Sequence, residues 1–131
     1  MRGLKSTLAI VAVLLLAGLA TFLVACDQGG FTGEQVKNPD SYTLDIQRMN
    51  GADRHTMELT AGDVLQVTFK TDSGSLHMEI TSPEGDVLYA GNGEETTDFE
   101  INIRKSGVYA ITVEARHAKG TIHVCRKEVT P

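Results

Sequence analysis

From Ser41 onward the chain alternates apolar and polar residues with a period of two, and almost nothing repeats with the 3.6-residue period of a helix. Between Asp63 and Thr71, Leu65, Val67 and Phe69 share one face against Gln66, Thr68 and Lys70. Leu76, Met78 and Ile80 stand against His77 and Glu79, and Phe99, Ile101 and Ile103 against Asp98, Glu100 and Asn102. Tyr109, Ile111, Val113 and Ala115 stand against Thr112, Glu114 and Arg116. Weaker alternation runs through Tyr42, Leu44 and Ile46 and through Met57 and Leu59. Successive side chains of an extended chain point to opposite faces, so each run is a strand with one wet and one buried side.

Turn chemistry separates the runs. Ala61-Gly62-Asp63, Ser73-Gly74, Pro83-Glu84-Gly85-Asp86, Gly91-Asn92-Gly93, Ser106-Gly107 and Lys119-Gly120 supply residues suited to tight or left-handed turns. A two-residue loop at Lys119-Gly120 pairs Ala115 with Val124 and His117 with Ile122, which brings the apolar faces together. The same construction at Ser73-Gly74 pairs Phe69 with Met78 and Val67 with Ile80. The fold expected is all-β: an antiparallel, jelly-roll-like β-sandwich of about eight short strands, following an N-terminal signal or anchor helix.

That N-terminal segment is a different kind of sequence. Arg2 and Lys5 precede an uncharged run from Leu8 to Ala25, closed by Leu23-Val24-Ala25-Cys26. The tetrad resembles the lipobox of bacterial lipoproteins. The resemblance implies signal-peptidase recognition through Leu23, Val24 and Ala25, where a narrow site admits a small side chain, and a diacylglycerol carried on Cys26. Residues 1–25 would then be a lipoprotein signal peptide, 26–40 the lipidated cysteine and a Gly-rich flexible tether, and 41–131 the sandwich domain. The 18 uncharged residues also suffice for a retained transmembrane helix of about 27 Å. Both readings keep the Arg2/Lys5 end inside and set the folded part outside. The expected location is the extracytoplasmic face of the cell membrane.

Charge narrows the partners. A chain starting at Cys26 holds ten basic and seventeen acidic residues. An excess of carboxylates argues against nucleic acid, whose phosphates call for basic patches. It also argues against docking of the folded surface on anionic lipid, so the covalent lipid on Cys26 has to supply membrane affinity. The expected partner is another envelope protein, and no cofactor besides the lipid is implied.

Three stretches, Leu59–Phe69 (LTAGDVLQVTF), Met78–Tyr89 (MEITSPEGDVLY) and Lys105–Val113 (KSGVYAITV), resemble the bacterial pre-peptidase C-terminal domain and the GOLD domain. In both families a Gly-Asp turn opens a strand, a Pro-x-Gly turn follows the next, and Gly-x-Tyr begins a late one. The cysteine that accompanies the last strand in the GOLD pattern is missing here. The resemblance implies a sandwich acting as a binding, targeting or accessory module, and it carries no catalytic residue onto this chain.

The candidate site residues are few. His117 takes inward parity and His123 outward, His77 lies outward beside Lys70, and His55 is inward, so no three converge as a zinc site requires. Asp86, Asn92, Glu94, Glu95 and Asp98 surround one loop region and form the calcium alternative, since calcium takes six to eight oxygens. Ser73, Ser75, Ser82 and Ser106 sit in turns, where hydroxyls bond backbone. The same hairpin register sets Glu114 across from Cys125, the one thiol left if Cys26 is acylated; a neighbouring carboxylate raises a thiol's pKa rather than activating it. Cys125 is read as filling a semi-buried strand position. Tyr89 is the one aromatic expected to stand exposed. These readings point to a non-catalytic module that binds protein, or alternatively calcium or a small ligand near residues 86–98.

Overall fold

Three strands carry most of the fold, and in each the apolar parity reverses at mid-length. The computed structural model describes residues 30–95 and 97–127; the expected signal or anchor segment, Cys26 and the residues next to it lie outside that range. The strands are β1 (Phe31–Asn38), β2 (Ser41–Leu59), β3 (Val64–Thr81), β4 (Val87–Gly91), β5 (Thr97–Asn102) and β6 (Gly107–Lys127). They form one antiparallel sheet in the order β1-β2-β6-β3-β4, with β5 also on β3.

The buried side chains of β2 are Tyr42, Leu44 and Ile46, then Met49, Met57 and Leu59. Those of β3 pass from Leu65, Val67 and Phe69 to Leu76, Met78 and Ile80, and those of β6 from Tyr109, Ile111, Val113 and Ala115 to Ala118, Ile122 and Val124. Unbroken alternation would turn the second half of each set to the opposite face. Bulges at Ile46/Met49 and Met49/Gly51, and at Thr71/Ser73 and Ser73/Ser75, return them to the same face. The bulges share one level of the sheet, where Met49 pairs with Ala118 and Ser73 with Lys119. Each bend holds one residue of left-handed φ: Gly51 at 114°, Gly74 at 71° and His117 at 44°. Asn50 Oδ1 accepts the His117 N–H at 2.7 Å, which satisfies a donor at the bend.

One face of one sheet therefore carries the whole core, and the sheet covers that face by folding on itself. The first lobe contains β1, the first half of β2, the second half of β6, the first half of β3, and β5. The second lobe contains the remaining halves of β2, β6 and β3, with β4. Side chains of both lobes, among them Tyr42, Phe69, Met57 and Met78, share one buried cluster. Complete burial of such a side chain contributes about 1.5–3 kcal/mol relative to exposure.

The architecture is all-β and antiparallel, as the alternation implied. The hairpins expected at Ser73-Gly74 and Lys119-Gly120 do not form. Val124 pairs with Tyr42 and Val67, and Ala115 with Gly51 and Leu76. A hairpin would pair the two halves of β6 with each other; here β6 lies between β2 and β3, and both of its sides are taken along its length. The expected short runs thus merge into six strands. Residues 31–38, expected within the tether, form β1.

The turns behind the family resemblance are structural devices. Asp63 is buried, its Oδ2 accepts the Thr60 N–H at 2.8 Å, and Gly62 N–H bonds Ile103 O at 2.8 Å. Tyr109 donates its hydroxyl to Lys105 O at 2.6 Å, and Gly107 sits so close to Pro83 that a Cβ would lie 2.6 Å from its ring.

Replacing Gly74 tests the bend. A Cβ there would fall 2.0 Å from the His117 carbonyl oxygen, and the left-handed φ adds strain, whereas Gly62, also at positive φ, faces open space. Gly74→Ala is expected to cost at least ~2 kcal/mol in urea denaturation and Gly62→Ala only about 1 kcal/mol. Equal losses would contradict the bend geometry.

Candidate functional site

The two open sides of the folded sheet are closed by different chemistry. On the β1 side, Phe31, Gly33, Gln35 and Lys37 are set against Met49, Ile46, Leu44 and Tyr42; Phe31 packs on the core, whereas the other three are exposed. Gln35 Nε2 and Lys37 Nζ reach Asp53 in the other lobe at 2.8 and 2.9 Å, and Tyr42 donates its hydroxyl to the same carboxylate at 2.5 Å. Lys37 also bonds Arg54 O at 3.0 Å. The His55 ring stacks on Tyr42 with centroids 5.1 Å apart, and its Nε2 lies 2.8 Å from Asn38 O.

Burial pushes the Asp53 carboxyl up, but the bonds from Tyr42, Lys37 and Gln35, with the Lys37 charge, outweigh it and hold the group below its ordinary range. Burial first, then the Asp53 bond and charge, drive the Tyr42 phenol well above its ordinary value. Tyr42 is 0% exposed. The group is a clasp between lobes, with Tyr42 buried and Asp53 half-buried beneath the exposed Gln35 and Lys37.

The clasp has a pH signature. A carboxylate with a depressed native pKa stabilises the fold above its unfolded value, near pH 4, and that contribution disappears as pH falls through the native value. Asp53→Asn is therefore expected to lower the melting temperature at neutral pH and to flatten its fall between about pH 5 and pH 2. A variant profile parallel to the parent's would contradict the clasp.

The other side is left by β4 and β5, which both pair with β3, one in each lobe. Tyr89 and Phe99 meet across the gap with ring centroids 4.5 Å apart. They and Ile101 are only half-buried against the core. Tyr89, expected to be an exposed aromatic, is thus a packing residue, and burial raises its phenol pKa. The β4 sequence, VLYAG, holds no charged residue, whereas edge strand β1 has Glu34 and Lys37 and edge strand β5 has Asp98 and Glu100. Val87 is 56% exposed and Leu88 43%. Val108, 54% exposed, lies at the same end of the second lobe: Val87 pairs with Thr81, Thr81 with Ala110, and Val108 is two residues from Ala110.

The remaining expected residues are placed apart. Among the described residues no three His, Cys, Asp or Glu side chains come together to hold a metal ion. Of the calcium candidates, Asp98 Oδ1 accepts the Thr68 hydroxyl at 2.7 Å, Asn92 Oδ1 accepts the Glu94 N–H at 3.2 Å, and Asp86, Glu94 and Glu95 are exposed. His117, expected inward, is exposed at the bend, because the bulge rather than a hairpin sets its direction. His77 pairs with Glu114 across the sheet and lies 3.3 Å from Glu79, away from Lys70. Cys125 is exposed rather than semi-buried, between Ser41 and Gln66, and does not face Glu114. Ser82 and Ser106 serve turns, accepting the N–H groups of Asp86 and Ala61. A shallow depression of about 530 Å³ beside Val108 is lined by Asp40, Glu58, Arg126 and neighbours.

With Cys125 exposed on the outer face, its thiol is expected to react stoichiometrically with a thiol reagent in the native protein. Cys125→Ser should change stability by less than about 0.5 kcal/mol. Labelling only after denaturation would contradict this placement.

No family model matches the chain, and no curated protein matches it. Among solved structures, it is similar to Aeromonas hydrophila PliG, a periplasmic lysozyme inhibitor of g-type lysozyme, at 17% identity. That match covers 75% of this chain and 89% of the other, with a TM-score of 0.46. It is also similar to a structure of accessory secretory protein 1, 2 and 3 from Streptococcus pneumoniae, at 16% identity over 78% of this chain and 91% of the other, with a TM-score of 0.36. Each overlap is one of chain trace alone.

Proposed function

We propose that this chain is a non-catalytic protein-binding module, held by a lipid on Cys26 at the extracytoplasmic face of the cell membrane. The observation that carries the binding part is the uncharged edge strand β4 with Val87 and Leu88 standing in water. Folded proteins blunt free edges with charges, and β1, β5 and the second half of β2, which holds Asp53, Arg54 and Glu58, follow that rule. An exposed apolar group at such an edge marks a surface that another protein covers. The anchor rests on the uncharged run ending in Leu23-Val24-Ala25-Cys26. The acidic surface is matched to a partner protein rather than to nucleic acid or anionic lipid. Catalysis has no place in this reading: the polar groups brought closest together, around Asp53, hold the lobes, and Ser82 and Ser106 hold turns.

Two measurements test it. The intact mass of protein extracted from membranes is expected to match residues 26–131 plus a diacylglycerol adduct, and Cys26→Ser should abolish the adduct; a mass matching the whole chain would overturn the anchor. A photoreactive phenylalanine analogue placed in turn at positions 34, 54, 88 and 123 samples the outer surface of the anchored protein in cells. Discrete protein adducts from at least one position are expected. Their absence from all four would overturn the binding module.

A further inference from the structure

We infer that β4 is completed by an extended segment of a partner protein, added as a further strand along its free side, with apolar residues at alternate positions and Lys or Arg at its ends. The inference rests on the binding-module reading and names the surface and the chemistry of its partner. Three observations converge on it. The first is backbone: β4 pairs with β3 on one side, and alternate N–H and C=O groups of an edge strand point away from the sheet, ready to accept another strand.

The second is apolar cover. Leu88 and Ala90 are exposed on the outer face, Ala90 beside Glu79, while Tyr89, Phe99 and Ile101 form a half-covered seam on the inner side. An added strand would lay alternate side chains on both. The opposite side of the sandwich needs no such cover, because the Asp53 clasp already spans it.

The third is charge. Residues 71–103 contain eight Asp and Glu and neither Lys nor Arg. Glu84 and Asp86 precede β4, and Glu94 and Glu95 follow it. Lys105 reaches Glu84 from outside this stretch. The acidic flanks also select against a second copy of this chain. Two β4 strands paired antiparallel about Tyr89 would set Glu84 of one against Glu94 of the other, and a parallel pair would set each carboxylate beside its own equivalent. Like charges across a pair are destabilising; a segment with basic ends turns the same positions into attraction.

The test uses the full-length lipidated protein in membranes. A photoreactive phenylalanine analogue is placed at position 88 and, separately, at 90, and the adducts are mapped by mass spectrometry. Strand addition predicts that the two positions label one partner segment at sites two residues apart, and that Lys or Arg flanks those sites. The double variant Glu94→Lys, Glu95→Lys, shown to be folded by its melting transition, should lower the adduct yield about fivefold. Labelled sites three or four residues apart, an acidic segment, a second copy of this chain, or an unchanged yield in the charge variant would each overturn the inference. Silence at 88 and 90 with adducts from 34, 54 or 123 would overturn it while leaving the binding module standing. Silence at every position would overturn both.

Discussion

Everything in this fold depends on bulges that lie side by side at one level of three strands. In β2, β3 and β6 the apolar side chains change parity at the same level of the sheet, so that the two halves of each strand present their hydrophobic residues to one face. A face that carries Tyr42, Phe69, Met57, Met78 and Ile111 together has to be removed from water, and one sheet can do so only by closing on itself. Gly51, Gly74 and His117 provide the backbone freedom for that closure, and Gly74 leaves room for the His117 carbonyl. A one-residue change of register in any one strand would put half of its core in solvent.

Much of this was legible in the sequence, and the part that was not has a definite cause. Strand content and the inward residues follow from alternation, and Leu65, Val67, Phe69, Ile111 and Val113 are buried as their parity implies. Connectivity does not follow. A two-residue hairpin and a bulge both carry odd positions before the break and even positions after it onto one face, and both use residues tolerant of left-handed φ. Ser73-Gly74 and Lys119-Gly120 satisfy either device equally. The choice is made by pairing with β2 and β3, far away in sequence, which no local pattern records.

β1 was invisible for a related reason. Of the positions set against buried residues of β2, Phe31 alone packs on the core, while Gln35 and Lys37 bind Asp53. Hydrophobic periodicity cannot register a strand whose buried-side work is polar. Asp53 itself gave no signal, since an acid within a weakly alternating run reads as solvent-facing. The edge proposed for binding is the converse case. The acidic loops around residues 86–98 were visible, but their meaning depends on β4 lying at a free edge between them, which is a property of topology. The sandwich therefore has one side bridged by the half-buried Asp53 carboxylate and one side left apolar and flanked by acid, and the second is the side proposed for binding.

The continuity of the three bent strands can be read directly from backbone nuclear Overhauser contacts in residues 30–131. Strands that run through the bend place Val124 beside both Tyr42 and Val67, and Ala115 beside both Gly51 and Leu76. Contacts joining Ala115 to Val124 and Phe69 to Met78 would instead mean hairpins at Lys119-Gly120 and Ser73-Gly74, and would contradict a sheet closed on itself by aligned bulges.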